Sequence, residues 1–397
     1  MDSVAQTTSD APTRAQLIER GRRLFPLLRE HARRADEERH LPPELVAAFT
    51  EAGFIRTVIP RRFGGWERGL NEVVDVTIEV ARACGSMGWV GSFWIDHPHW
   101  VGFFPEAAQR DVWATGPDVR VASSFVPAGR VEVAPAGWRL SGEWAWASGV
   151  GHSEWILLGG LVPGALDGPP EARLFLVPVS EVTVVDTWYS AGLRGTGSDN
   201  VIADGVIVPE HRTLVLARVR EGTSPGVAVN PGPIFSAPLM AHAGYAMLAP
   251  AIGIARGMLD DWGLAAIGKA HSYTGEQVAA ALPMQLRLAA SAARVDAAEL
   301  VLRRCLDRVE SGQPITLEDR VRHRRDISFA MTLVVGAVDD LMQMAGASAL
   351  RDESPLQRAW RDVRAISTHV MLNFTAASEN FGRLAMGLPL NPRDPFY

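Results

Sequence analysis

The 397-residue sequence has only two cysteines, Cys84 and Cys305, far apart in the chain. That excludes a CxxC redox pair and a four-ligand zinc site, and it points to a reducing, cytoplasmic setting. The phosphate-loop Gly-Lys-Ser/Thr, the His-Glu-x-x-His zinc motif and the Gly-x-Ser-x-Gly nucleophile elbow are all missing, which removes several common enzyme classes. A basic excess is also missing. The formal charge of -6 argues against a nucleic-acid partner, because neutralising phosphates needs a cationic face. No uncharged apolar run reaches membrane-spanning length. The nearest, Ile327 to Leu341, is interrupted by Asp339 and Asp340 and reads as a buried helix. Met1 to Asp10 is polar without a signal core, and the Arg-rich stretch after it carries Glu19, Glu30 and Asp36, unlike a transit peptide.

With 47% apolar and 21% charged residues, the chain can bury a substantial core over two or three subdomains. Leucines recur at helical spacing from Arg14 to about Gly53, which predicts two amphipathic helices, the second opened by Pro42-Pro43. Asn71 to Ala83 predicts another helix, ended by the Gly85, Gly88 and Gly91 cluster, with a turn at Gly88-Trp89. The character changes near Pro117. Arg120 to Val126, Glu154 to Val162, Ala172 to Val177 and Val182 to Trp188 are rich in Val, Leu and aromatics, which predicts a small antiparallel β domain. After the link from Pro225 to Pro233, a 3.6-residue period returns through four or five helices, the first over Ile234 to Met258, ending near Leu388. The expected divisions are 1–117, 118–225 and 226–397.

Two segments are more specific. One is Gly53-Phe54-Ile55 followed by Ile59-Pro60 and Phe63-Gly64-Gly65. The other is Gly192-Leu193-Arg194-Gly195-Thr196-Gly197-Ser198 followed by Val206-Ile207-Val208-Pro209. Singly, their glycines are turn chemistry. In this order within an α-β-α chain, they resemble the acyl-CoA dehydrogenase superfamily over nearly the whole length. The resemblance implies an α+β fold: an N-terminal helical domain, a central antiparallel β-barrel and a C-terminal four-helix bundle. It further implies a flavin between the β domain and the bundle, and a homotetramer, with a dimer as the alternative.

Dehydrogenases of that superfamily need a carboxylate to take the α-proton of an acyl thioester. Ile234 to Met258 holds no acid, and after Arg361-Asp362 the place of the expected Tyr-Glu-Gly reads Thr368-His369-Val370. The chain is instead similar to the two-component flavin-dependent monooxygenases of the same fold, which include the phenol, hydroxyphenylacetate and indole hydroxylases. His97, Ser123, Ser148 and His369 carry that resemblance. It implies that they surround the flavin ring and the substrate, with Ser148 at flavin N5 and a histidine poised near neutral pH as base. Aromatic hydroxylation would run through a C4a-hydroperoxyflavin kept from water.

The same resemblance places Phe125, Trp146, Ala147 and Ser148 along the flavin ring, Lys269 where a cation reaches the diphosphate of a neighbouring subunit's FAD, and Gly346 in the place of the dehydrogenases' Gly-Gly-x-Gly stretch at the nucleotide end. The implied cofactors are molecular oxygen and reduced flavin, with FADH2 preferred to FMNH2. No Gly-x-Gly-x-x-Gly opens a βαβ unit, so a separate NAD(P)H-dependent flavin reductase is the expected partner. Twelve tryptophans, among them Trp89, Trp94, Trp100, Trp144 and Trp146, suit a flat aromatic substrate or anchor the domain interface. His97-Pro98-His99 is a weak metal signal, and no metal is expected. Three other readings stand beside hydroxylation: amine N-oxygenation, an acyl-CoA dehydrogenase whose base is Glu379, and a non-catalytic flavin carrier.

Overall fold

The computed structural model describes residues 11–164, 169–270 and 274–394. The polar stretch Met1 to Asp10 lies outside them. The first helices are α1 (Arg14–Glu38), α2 (Pro43–Glu51), α3 (Leu70–Ala83), α4 (Gly85–Val101) and α5 (Glu106–Val112). Thr13 opens α1 with a capping box closed by Gln16, which satisfies amides that the first turn leaves without partners. Pro43 sits in the first turn of α2, where a missing N–H costs nothing.

The helix expected before the glycine cluster is α3, which ends at Ala83, but Gly88-Trp89 is helical rather than the expected turn. Gly85, Gly88 and Gly91 all lie in α4. A Cβ at Gly88 would overlap Ala81 of α3, and one at Gly91 would come within 2.6 Å of the Phe49 ring. These glycines are there for close approach between helices, which outweighs their low helix propensity. As a result α4 runs almost wholly buried through the core.

The central strands are β1 (Val121–Ala134), β2 (Gly137–Ala147), β3 (Trp155–Val162), β4 (Glu171–Pro178), β5 (Thr183–Val185), β6 (Asp199–Pro209) and β7 (Thr213–Val215). They form one seven-stranded sheet in the order β5-β6-β2-β1-β3-β4-β7. The predicted antiparallel barrel is corrected in two respects. The sheet is mixed, because β1 pairs parallel with β3. No ladder joins the edge strands β5 and β7 among the described residues, so closure is not shown. Val182 to Trp188 shortens to β5, and β2 is a strand that the periodicity did not mark.

Side chains alternate across β1. Val121 joins the core shared with the helices, while Ala122 joins a second core inside the sheet with Leu140, Trp144, Ile156 and Phe175. Ser123 therefore faces α4.

The chain then returns to helices α6 (Leu216–Glu221), α7 (Pro233–Ser236), α8 (Tyr245–Ile267), α9 (Leu282–Glu310), α10 (Leu317–Ala345), α11 (Pro355–Ser367) and α12 (Phe374–Ala385). The helix expected from Ile234 begins instead at Tyr245, because Pro238 and a short 3-10 turn at Leu239–Ala241 interrupt the run. α10 is long and apolar enough to cross a bilayer, yet half of its apolar window is buried within the protein. Both cysteines are unpaired and buried, and burial pushes their thiols up to about 11 at Cys84 and about 12 at Cys305. Such thiols are poor nucleophiles at neutral pH.

Candidate active site

Residues four apart on a helix stack on one face, and α4 uses this for an aromatic strip. Trp89 and Phe93 meet edge to face at 4.8 Å, Phe93 stacks on the His97 ring at 5.0 Å, and Phe125 of β1 tilts against Trp100 at 4.4 Å. Trp89 and Trp100 stood out in the sequence, whereas Phe93 did not. The 89-93-97 spacing would have revealed it, had the glycines not suggested a turn.

His97 is 2% exposed. Its Nδ1 lies 2.7 Å from the Val121 carbonyl and its Nε2 lies 2.9 Å from Ser123 Oγ. A carbonyl only accepts, so Nδ1 carries the proton and Nε2 accepts from the Ser123 hydroxyl. Burial pushes the imidazole down to about 4, against the opposing hydrogen bond to Val121. The group is thus neutral at physiological pH, unlike the near-neutral histidine expected from the sequence.

His369 follows α11 and caps a short 3-10 turn, where its Nδ1 accepts the Met371 amide at 3.2 Å. Burial lowers it to about 4 as well. With Nδ1 occupied as an acceptor, the neutral ring carries its proton on Nε2 and offers a donor there. The ring lies 6.3 Å from Trp89, which joins His369 to the strip.

Ser148 follows β2 and is half-buried. Its Oγ accepts Trp89 Nε1–H at 3.0 Å and lies 2.8 Å from Ser198 Oγ. Ser198 Oγ is 2.7 Å from Thr196 Oγ1, which donates to the Leu193 carbonyl at 2.8 Å. The Leu193 amide in turn donates to Asp362 of α11 at 2.6 Å, and Gly192 packs directly on the Arg361 carbonyl. This motif, read from sequence as a turn, therefore clamps the β region to α11. Burial raises the Asp362 carboxyl to about 6, against that amide bond.

Ala147 is buried in the sheet core, whereas Trp146 beside it is 64% exposed. Trp146 occupies left-handed backbone at φ 66°, where the ladder between β2 and β6 shifts register. A bulky residue in that region is strained, and such strain gathers at functional sites.

A second cluster lies elsewhere. Lys269 donates to the Ala345 carbonyl at 2.8 Å, and Gly346 beside it has φ 73°. Both belong to the region around a cavity of about 560 Å³ lined by Trp262, Lys269, Ser348 and Pro355 among others. Lys269 is the only lysine in a chain with 39 Lys and Arg residues, which by itself singles the position out.

Some expected residues stand apart. Trp94 donates to Ser153 and packs on Phe49, and Trp144 is buried in the sheet core, donating to the Gly159 carbonyl. Both are structural. His99 diverges from His97, with its Nε2 on the Ile234 carbonyl. Glu379 lies on α12 and is held by Asn391 and Arg383. Asp96 of α4 is buried between donors, Tyr245 Oη at 2.8 Å and Trp100 Nε1 at 3.1 Å. Burial raises its carboxyl to about 7 despite both bonds.

Comparison with known proteins gives the family. Residues 26–100 match the acyl-CoA dehydrogenase N-terminal domain, and residues 245–374 match the C-terminal domain. The chain is 34% identical to the FADH(2)-dependent resorcinol hydroxylase oxygenase component of Rhizobium sp., covering 98% of each chain. The HsaA monooxygenase of M. tuberculosis superposes with a TM-score of 0.91 at 31% identity, over 97% of this chain and 100% of that one. XiaF from Streptomyces sp., solved in complex with FADH2 and glycerol, superposes with a TM-score of 0.89 at 28% identity, over 96% and 97%. The protein belongs to the oxygenase components of the two-component flavin-dependent monooxygenases, built on the acyl-CoA dehydrogenase fold.

Proposed function

We propose that the protein hydroxylates a phenolic ring with molecular oxygen and reduced flavin, FADH2, delivered by a separate reductase. The observation that carries the substrate class is the Ser123–His97 pair at the foot of the aromatic strip. The Ser123 proton is committed to His97 Nε2, so Oγ presents lone pairs and accepts a donor such as a phenol O–H. Phe93, Trp89 and Phe125 suit a flat ring. The one carboxyl on this part of α4, Asp96, is held by Tyr245 and Trp100, which disfavours an amino-sugar substrate that needs carboxylates for its hydroxyls.

The residues present fit a flavin. Ser148 is half-buried beside the strained, exposed Trp146 indole, which suits the edge of an isoalloxazine ring. The cavity lined by Lys269 supports a cation that would make charge-assisted bonds to the diphosphate of a neighbouring subunit's FAD. Bound reduced flavin supplies the activation of oxygen. With a flavin bound, Ser148 would accept a hydrogen bond from its N5. Ser123 accepts the substrate proton's hydrogen bond and passes its polarising effect to His97, which stays neutral. His369, with Nδ1 taken by the Met371 amide, would donate from Nε2 towards bound substrate or flavin. The buried strip on α4 excludes water. The uncovered apolar residues Leu264, Ile267, Leu282 and Leu286 on α8 and α9 support a homotetramer, which analytical ultracentrifugation checks.

The test is turnover with a flavin reductase, NADH and labelled oxygen over phenols, their methyl ethers and aliphatic amines. Phenols gaining one labelled oxygen while their ethers stay unreacted is the expected result. Turnover of amines with inert phenols would replace this reading by N-oxygenation.

A further inference from the structure

The hydroxyl chain behind Ser148 fixes where each proton lies. The Leu193 carbonyl has no proton, so the 2.8 Å contact with Thr196 Oγ1 uses the threonine's only one. That carbonyl also accepts from Trp188 Nε1 at 2.8 Å and from the Thr196 amide at 3.2 Å, but two bare oxygens would still repel at the Thr196 Oγ1 distance. Thr196 must then accept from Ser198 at 2.7 Å, and Ser198 must accept from Ser148 at 2.8 Å. Trp89 Nε1–H takes one lone pair of Ser148. Ser148 is left with a free lone pair and no free proton. Ser198 and Thr196 are 3% and 2% exposed, which leaves no bulk water to reverse the chain, and such chains reinforce their own polarity.

We propose that Ser198 and Thr196 are positioning residues that make Ser148 an acceptor only, so that the site binds reduced flavin in preference to oxidised flavin. This rests on the flavin ring lying at Ser148, as proposed above. In oxidised isoalloxazine, N5 is an unprotonated nitrogen and accepts hydrogen bonds. In the reduced ring, N5 carries a proton and donates. The reduced ring therefore completes the chain, whereas the oxidised ring sets its lone pair against that of Ser148. An unmatched polar contact in a partly buried site separates the two affinities by about ten- to a hundredfold. Capture of reduced flavin from a reductase and release of the oxidised form then follow from one hydroxyl orientation. Ser198 and Thr196 need not touch either form.

The experiment measures dissociation constants of oxidised FAD and of anaerobically reduced FAD for the wild type, Ser148→Ala, Ser198→Ala, Ser198→Thr and Thr196→Val. The wild type favours reduced FAD. In Ser198→Ala the Ser148 proton loses its acceptor and turns to N5, so oxidised FAD tightens about tenfold and the preference collapses. Ser198→Thr keeps the hydroxyl and the preference. Thr196→Val, nearly isosteric, frees the Ser198 proton for Ser148 and gives the same collapse, and it serves as the readout if Ser198→Ala melts early. Ser148→Ala removes both the matched contact to reduced FAD and the opposed lone pair facing oxidised FAD, so reduced FAD weakens and the ratio of the two affinities shrinks. A wild-type affinity ratio in both Ser198→Ala and Thr196→Val, with an altered ratio in Ser148→Ala, overturns the proposal and keeps the flavin at Ser148. Unchanged ratios in all variants, Ser148→Ala included, overturn the placement and the proposal together.

Discussion

Replacing His97 by asparagine isolates the cost of keeping an uncharged imidazole under α4. An asparagine amide can still donate to the Val121 carbonyl as Nδ1 does, but it cannot accept from Ser123. At pH 8, where His97 is neutral folded or unfolded, the variant is less stable by about 1–3 kcal/mol, from the lost Ser123 partner and the lost stacking on Phe93. Acid changes the comparison. The folded value is about 4, below the unfolded value of about 6.5. As the pH falls from 6.5 towards 4, the unfolded wild-type chain takes up a proton that the folded one refuses, so stability is lost over that window and levels off below it. At pH 5 the loss is about 2 kcal/mol, from about 1.5 pH units at about 1.36 kcal/mol each. Asparagine does not titrate, so the difference between the two proteins shrinks by that amount between pH 8 and pH 5. Every other titrating group cancels in the comparison. Urea unfolding of both proteins at matched concentration measures it. An equal difference at both pH values would show that folded His97 titrates like a free histidine, and the assignment of a fixed neutral tautomer would be wrong.

Asp96 gives the opposite sign. Its folded value, about 7, exceeds the unfolded one, so its contribution is full below about 3.8 and is lost as pH rises through 7. Relative to Asp96→Asn, the wild type loses about 3 kcal/mol between pH 5 and pH 8, read from the same urea series. Gly88→Ala drives a methyl into Ala81 and lowers stability by about 1–3 kcal/mol, seen as a lower melting temperature. Trp146→Gly relieves left-handed strain and stabilises by about 0.5–1 kcal/mol, while flavin affinity falls, measured by calorimetric titration. Because Lys269 is the sole lysine, amine acylation followed by mass spectrometry reports on it directly. FAD should protect it and FMN should not, and equal protection would remove the nucleotide from that cavity.

The helix, strand and helix order was legible because periods of 3.6 and 2 register burial on one face. Several features left no such mark. β2 was hidden because only three of its eleven residues are buried and it carries Gly137 and Gly142. The glycines of α4 look alike in sequence whether they bend a chain or admit a neighbouring helix, and only the contact with Ala81 decides. The parallel pairing of β1 with β3 is a choice of neighbour, which strand composition does not encode. At the site, His97, Ser123, Ser148 and His369 were named through a family resemblance, but their protonation was not. Neutral His97 and donor-side His369 follow from the Val121 carbonyl and the Met371 amide. The directed chain through Ser198 follows from contacts between residues 50 apart.

The glycine-threaded packing of α4 also bears on how such a protein changes its trade. A helix with neighbours on every side admits few substitutions, so Trp89, Phe93 and His97 form an inherited chassis. New substrates are then accommodated by residues outside it, such as Val126 of β1 and Val370 beside His369, which reach solvent and can vary without disturbing a core. Libraries that hold α4 constant and diversify those two edges should yield more folded variants, and more altered specificities, than libraries aimed at the aromatic strip itself.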